Sequence, residues 1–269
     1  IAPAAESTPK VVKSVWNRKN PYPAKVSVNR LLSGPSSGKE IRHYEIDLAD
    51  SGLTYETGDA LNVMPVNDGA LVKKLTERLL VSTDTVLVGQ EQSIGDLLTY
   101  QYEISTPSRN LIAAVEAQAN HDKFSHVLKN GDKEALADFL WGKDTLDLLN
   151  LNPEIVFSID EFLALLKPLQ HRAYSISSSP NKHIGLVHLT VASVRWREDD
   201  RDHLGVCSTF LADRVAANGT AGVFISPNKA FRIPANDDTP MIMVGPGTGV
   251  APFSCLLYTS PSPRDPTSS

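Results

Sequence analysis

The hydrophobic period of this chain changes twice along its length, and each change limits the folds open to it. Across residues 22–65 apolar side chains alternate, as in Ala24-Lys25-Val26-Ser27-Val28 and again from Ile41 to Leu48. That is the two-residue period of a strand with one buried face. Turns at Gly34-Pro35, Gly38 and Gly52 separate these runs. From 68 to 166 the period becomes helical, with apolar residues at i, i+3 and i+4 in 70–80, 110–120, 133–141 and 159–166. Alternation then returns in 174–177, 186–194 and 222–226. A strand set that is left and re-entered in this way predicts an α+β protein: an antiparallel barrel interrupted by a helical insert at about 68–166. No internal repeat or low-complexity core segment is apparent.

At 269 residues, 41% hydrophobic and 21% charged, the chain can bury one large core or two moderate ones. A net charge of -5 argues against a general nucleic-acid binder but leaves nucleotides open, since they need only local positive charge. No apolar run approaches the length of a bilayer span, and residues 1–9 have neither a basic nor an apolar signal region. Two cysteines, Cys207 and Cys255, make no disulfide framework, so a reducing, cytoplasmic setting is expected.

The ends carry expectations of their own. Ile1 is not an initiator, and residues 1–19 open rich in Ala, Pro, Ser and Thr, which reads as an inter-domain linker with further chain upstream. At the other end Pro261, Pro263 and Pro266 oppose the helix expected after a glycine loop. The string from Cys255 to Asp265 is similar to the conceptual translation of a transposon-based sequencing adapter. Residues 255–269 are therefore expected to be a non-native tail without packing information; a natural Pro/Ser-rich tail is the alternative.

Three segments carry candidate chemistry. In Arg172-Ala173-Tyr174-Ser175, alternation puts Arg172 and Tyr174 on one strand face, a guanidinium for a phosphate beside a flat phenol for a planar ring. Taken alone, the tetrapeptide also reads as a core tyrosine beside a surface arginine. In Gly205-Val206-Cys207-Ser208, Ser208 is placed to cap a helix over 209–216, and Gly205 lets backbone approach a ligand. The free amides and helix dipole there suit a pyrophosphate, although a plain helix cap is the simpler reading. Cys207 reads as a small buried filler rather than a nucleophile. The third segment follows the apolar run Met241-Ile242-Met243-Val244. Gly245, Gly247 and Gly249 form a tight strand-to-helix turn, with the Thr248 hydroxyl available to a phosphate. Gly249 arrives one position early for the common dinucleotide fingerprint and Pro246 intervenes, so a strand–loop transition without ligand stays open.

With Ala251-Pro252-Phe253 completing that loop, the chain from about Asn20 to Phe253 resembles the FAD-binding part of the diflavin reductases. This group contains the sulfite reductase flavoprotein subunit and cytochrome P450 reductase. Further matching segments are Asn29-Arg30-Leu31-Leu32, Tyr55-Glu56-Thr57-Gly58-Asp59, Asn67-Asp68 and Trp141-Gly142-Lys143-Asp144. The stretches Leu169 to Pro180, Ser208 to Arg214 and Pro227 to Pro234 are similar to the sulfite reductase branch. Ferredoxin-NADP reductases share the Arg-x-Tyr-Ser logic but lack the long helical insert.

The resemblance implies an antiparallel Greek-key β-barrel of the ferredoxin-NADP reductase kind over 20–236. It also implies the first strand of a truncated α/β nucleotide-binding domain over 237–254. It further implies that Tyr174 stacks on the isoalloxazine, that Ser175 lies near its N5 as the catalytic residue, and that Arg172 pairs with the FAD phosphates. Gly205, Val206, Cys207 and Ser208 would cradle the pyrophosphate, and Thr190, Val191 and Ala192 would line the FAD. Trp196 would face the adenine. Gly245, Gly247, Thr248, Gly249 and Arg30 match positions that touch NADPH; no metal is implied. An FMN domain would precede Ile1, and the rest of the NADPH domain would follow Phe253. The partner would be a haem or iron–sulfur protein such as a sulfite reductase hemoprotein.

Three functions follow for comparison. The first is an NADPH-dependent flavoprotein reductase passing electrons through FAD to FMN and a redox partner. The second is an FAD-binding electron-transfer module without turnover of its own. The third is a barrel that has lost nucleotide binding and serves as a docking surface.

Overall fold

The structure is a computed structural model and describes residues 14–259 apart from 217, 235 and 237. Its strands are β1 (Tyr22–Leu31), β2 (Glu40–Asp47), β3 (Ala60–Met64), β4 (Arg172–Ser175), β5 (Leu186–Ser193), β6 (Arg195–Glu198), β7 (Arg201–Leu204) and β8 (Thr220–Ser226). Six of these form one antiparallel sheet in the order β4-β3-β8-β1-β2-β5. Its two edges meet just beyond β4, where Ile176 bridges Leu189 and the Ser177 amide donates to the His188 carbonyl at 2.9 Å. Inside lie Val26, Tyr44, Ile46, Leu61, Val63, Val187, Leu189, Val191 and Val223, all buried. Burying each such side chain is worth about 1.5–3 kcal/mol, so the period-2 pattern pins the register of β1, β2 and β5.

Between β3 and β4 the chain makes a helical unit with its own core. It comprises α1 (Gly69–Arg78), α2 (Ile94–Tyr100), α3 (Arg109–Ala119), α4 (Asp122–Lys129), α5 (Lys133–Leu140), α6 (Thr145–Leu149) and α7 (Ile159–Leu165). Leu75, Leu98, Leu111, Val115, Phe124, Leu148 and Phe162 fill its interior. Side-chain caps start these helices: Asp68, Ser93, Ser108, Asp132, Asp144 and Ser158 each accept first-turn amides. Each cap contributes about 1 kcal/mol. The four long periodic runs are helices within one or two residues of the expected limits. α2, α4 and α6 were not anticipated; α6, at five residues, completes too few turns to show a period.

Three expectations need correction. The helix expected over 209–216 begins earlier, as α8 (Val206–Thr209), and runs on into a wider turn over Phe210–Arg214. Its N-cap is Gly205, so Ser208 lies inside the first turn and is not the cap. The apolar run 241–244 is not a strand: Ile242 is 93% and Val244 78% exposed. A strand of that composition is stable only between covered neighbours, and no described strand pairs with it. Finally, the prolines do not preclude a helix. α9 (Ala251–Thr259) forms N-terminal to Pro261, burying Cys255 and Leu256. Residues 1–13 and 260–269, including most of the two expected end segments, lie outside the described residues.

On the outer face of β5, burial and the neighbouring His183 hold His188 down at about 4 from an ordinary 6.5. A depressed histidine in the fold means that the unfolded chain takes up the proton first, so stability falls as pH drops from 6.5 towards 4. In metal-free buffer the wild-type denaturation midpoint should therefore fall more across that window than the midpoint of His188→Gln. Parallel midpoint-versus-pH curves for the two proteins would remove His188 from the account.

Candidate functional site

Strand alternation does in β4 what its sequence implies. Arg172 and Tyr174 are half-buried on one face, while Ala173 and Ser175 are exposed. Both half-buried residues open onto a cleft of about 420 Å³. The same cleft is lined by Ala192 at the end of β5, by Trp196 of β6, and by Gly205, Val206, Cys207 and Ser208. Segments far apart in sequence thus converge on one concave site.

Each group is held by a definable contact. Arg172 donates through Nη2 to Glu103 Oε2 at 2.9 Å and through Nη1 to the Gln170 carbonyl at 2.8 Å. Glu103 is 1% exposed, and its other oxygen accepts the Ser105 amide at 3.1 Å. The guanidinium is thereby anchored on one side while its Nε–H makes no hydrogen bond among the described residues. Tyr174 has its phenol pKa pushed up, first by burial and then by Cys207 beside it, so it presents a neutral ring. Burial likewise pushes the Cys207 thiol up to about 11, and the residue packs in the sheet core. Cys207 is a filler, as its sequence context implied, and not a thiolate nucleophile.

At the start of α8 a Cβ on Gly205 would lie 2.8 Å from both Ser208 Oγ and Val194 Cβ. Glycine is what lets strand and helix approach so closely. Ser208 Oγ accepts the Val194 amide at 3.1 Å, tying the end of β5 to the first turn of α8. The amides of Val206, Cys207 and Ser208 precede the first helical hydrogen bond, and no side chain caps them. Uncapped first-turn donors, an anchored arginine and a neutral aromatic face in one cleft have the chemistry to hold an anion joined to a planar ring.

Trp196 is fixed on the opposite wall. Its Nε1–H donates to the Gly142 carbonyl at 2.9 Å, and its ring stacks on His203 with centroids 5.2 Å apart. Gly142 has φ +74°, and a Cβ there would lie 3.1 Å from the indole nitrogen.

Other expected residues fall elsewhere. Val191 points into the sheet core, so its side chain is turned from the cleft, whereas Thr190 is half-buried on the outer face. Ser175 is exposed on the strand face opposite Tyr174 and is not among the residues lining the cleft. Arg30 is exposed on β1, opposite His43. Gly245 begins the tight turn read from its sequence, since a Cβ there would lie 2.5 Å from the Gly249 carbonyl oxygen. Gly247, at φ +58°, the half-buried Thr248 and the exposed Gly249 follow in that turn, outside the cleft lining. Sequence reasoning missed Glu103, Ser105, Thr106, Val194 and Leu204, all at or behind the cleft wall. No local pattern marks them, because their role depends on pairing across the fold.

Comparison with known proteins identifies the family. The chain matches the FAD binding domain family over residues 15–210, and it belongs to that family. It is 36% identical over 260 residues to the sulfite reductase [NADPH] flavoprotein alpha-component of Bacillus subtilis (strain 168), covering 95% of this chain and 43% of that protein. The protein of the same description from Enterobacter sp. (strain 638) is 38% identical over 256 residues, covering 94% and 42%. That from Escherichia coli O9:H4 (strain HS) is 37% identical over 246 residues, covering 91% and 41%. The chain thus spans less than half the length of these curated relatives.

Arg172→Ala should loosen FAD by about 1.5–3 kcal/mol, the usual worth of a hydrogen bond to a charged group. Glu103→Gln, which alters the anchor and not the cleft surface, should loosen FAD in the same direction by less. Titration followed by flavin fluorescence checks both, and unchanged affinity in Arg172→Ala would reject the phosphate pairing.

Proposed function

We propose that this chain is the FAD-binding part of an NADPH-dependent flavoprotein reductase of the sulfite reductase flavoprotein kind. The observation that carries the reading is the convergence of Arg172, Tyr174 and the 205–208 turn on one cleft. In this reading Tyr174 stacks on the flavin ring and Arg172 pairs with the phosphates. The amides of Val206, Cys207 and Ser208 hold the pyrophosphate, Trp196 faces the adenine, and Thr190, Val191 and Ala192 follow the cofactor along β5. Ser175 stands near the flavin N5.

When bound, FAD supplies the exchange between hydride from a nicotinamide and single electrons for a second flavin. The protein's share is positional. Glu103 fixes the guanidinium, Tyr174 stays protonated and neutral, and Gly205 admits the pyrophosphate close to backbone. Gly245, Gly247, Thr248 and Gly249, with Arg30, would begin the NADPH site. An FMN domain and a hemoprotein would be the acceptors, in a cytoplasmic setting that suits a chain with only two cysteines.

For the fold, the joined edges of the sheet support a Greek-key barrel over 20–236 with its helical insert at 68–166. Residues 237–254 would be the start of a nucleotide-binding domain. The second reading is a flavin module that relays electrons without turnover of its own.

Anaerobic addition of NADPH to the FAD-loaded chain separates the two. Bleaching of the flavin band selects the reductase, and a stable yellow protein selects the relay module. A chain that retains no FAD overturns both. Tyr174→Ala should weaken FAD and shift its visible spectrum, because the substitution removes the stacking face.

A further inference from the structure

The outer face of the sheet carries a second cluster of ligand-forming side chains, none of which lines the flavin cleft. On β2, Tyr44 and Ile46 point into the core, which turns His43 and Glu45 outward together. On the adjacent β5, His188 sits between the buried Val187 and Leu189 and so faces the same way. Glu45 and His188 are directly opposite in the register, and His43 is opposite Thr190. Two residues of one strand and one of its neighbour therefore meet on a rigid, hydrogen-bonded platform.

We propose that His43, Glu45 and His188 form a binding site for a zinc-class divalent cation on the outer face of β2 and β5. Their donor atoms all lie within 4.8 Å of one another, and His43 Nε2 is 3.2 Å from Glu45 Oε1. Ligands of a tetrahedral zinc ion, with bonds of about 2.0–2.2 Å, lie about 3.3 Å apart, so small side-chain rotations close the site. His188 Nε2 is buried and has no hydrogen-bond partner among the described residues. A buried ring nitrogen without a partner is costly in an apoprotein, and a bound cation would satisfy it. The His183 ring, 4.2 Å from that of His188, borders the open side, where it or water completes the shell.

A two-histidine, one-carboxylate set suits zinc, or cobalt as its spectroscopic substitute, better than magnesium or calcium, which favour oxygen. Arg30 on β1, opposite His43, is the nearest like charge in the register and is exposed to solvent. The other mixed cluster, Asp144, Asp147 and His203, differs in kind. Arg201 Nη2 lies 2.6 Å from Asp144 and 2.7 Å from Asp147, so a cation already occupies it.

The test is calorimetric titration of the full, FAD-loaded, metal-free chain with Zn²⁺, repeated with Co²⁺ to read the d–d bands of the bound ion. Saturable binding of a single equivalent is expected. His43→Ala and His188→Ala should each weaken it by about tenfold or more, since even outer-shell losses cost that much. Retained FAD and an unchanged melting midpoint establish that each variant is folded; if His188→Ala fails that check, His43→Gln and Glu45→Gln carry the test. Absence of saturable binding, or affinity unchanged in the folded variants, overturns the site.

Discussion

A buried carboxylate decides where the arginine of the cleft sits. β3 and β4 are neighbours in the sheet, yet the whole helical unit lies between them in the chain. The segment after α2 is stitched to the segment after α7 before β4 begins: the Glu103 amide donates to the Lys167 carbonyl at 2.9 Å, and the Leu169 amide to the Gln101 carbonyl at 2.6 Å. This seam carries Glu103 to Arg172. Removing Arg172 would leave the buried Glu103 carboxylate without its counter-charge. The seam therefore links the register of β4, the closure of the insert and the aim of the guanidinium.

A second clasp holds the other wall. Asp144 and Asp147 begin α6, and both grip Arg201 on β7 while Asp147 reaches His203 at 2.8 Å. Burial, with the neighbouring Asp147, raises the Asp144 carboxyl. For Asp147 burial acts the same way, but hydrogen bonds from the Asp144 backbone, His203 and Arg201 outweigh it and hold its pKa down. His203 stacks under Trp196, whose indole also bonds Gly142 in the insert. The helical unit is thus part of the cleft's construction: it positions Arg172 on one side and Trp196 on the other. The family-like stretch Trp141-Gly142-Lys143-Asp144 acts here by holding the β6–β7 hairpin, with Lys143 adding an ion pair to Asp199 at 3.0 Å.

Much of this was legible in the sequence, and the rest was hidden for physical reasons. The strands with a single buried face, β1, β2 and β5, and the long helices announce themselves because burial imposes a period on them. The convergence of 172–175 with 205–208 was legible through their residue types. The β6–β7 hairpin was not, because its charged residues form ion pairs instead of burying one face: Arg197 with Asp202, Arg195 with Glu40 of β2 and with Asp213, and Glu198 and Arg201 with Lys143 and Asp144 of the insert. The Ser208 cap was misassigned because α8 starts on a glycine, whose missing side chain leaves no cap signal and leaves its amides free. Glu103 could not be found at all from local pattern. A lone carboxylate acquires meaning only when folding brings an arginine to it.

The central claim is that the 205–208 turn holds a pyrophosphate, so the cleft should distinguish a dinucleotide flavin from a mononucleotide. Competitive binding of FAD and FMN to the flavin-free chain tests this most directly. The account predicts that FAD binds at least about tenfold more tightly, roughly 1.4 kcal/mol or more. It also predicts that Gly205→Ala, whose Cβ would press on Ser208 and Val194, erodes most of that preference. Equal affinity for FAD and FMN in the wild-type chain would contradict it.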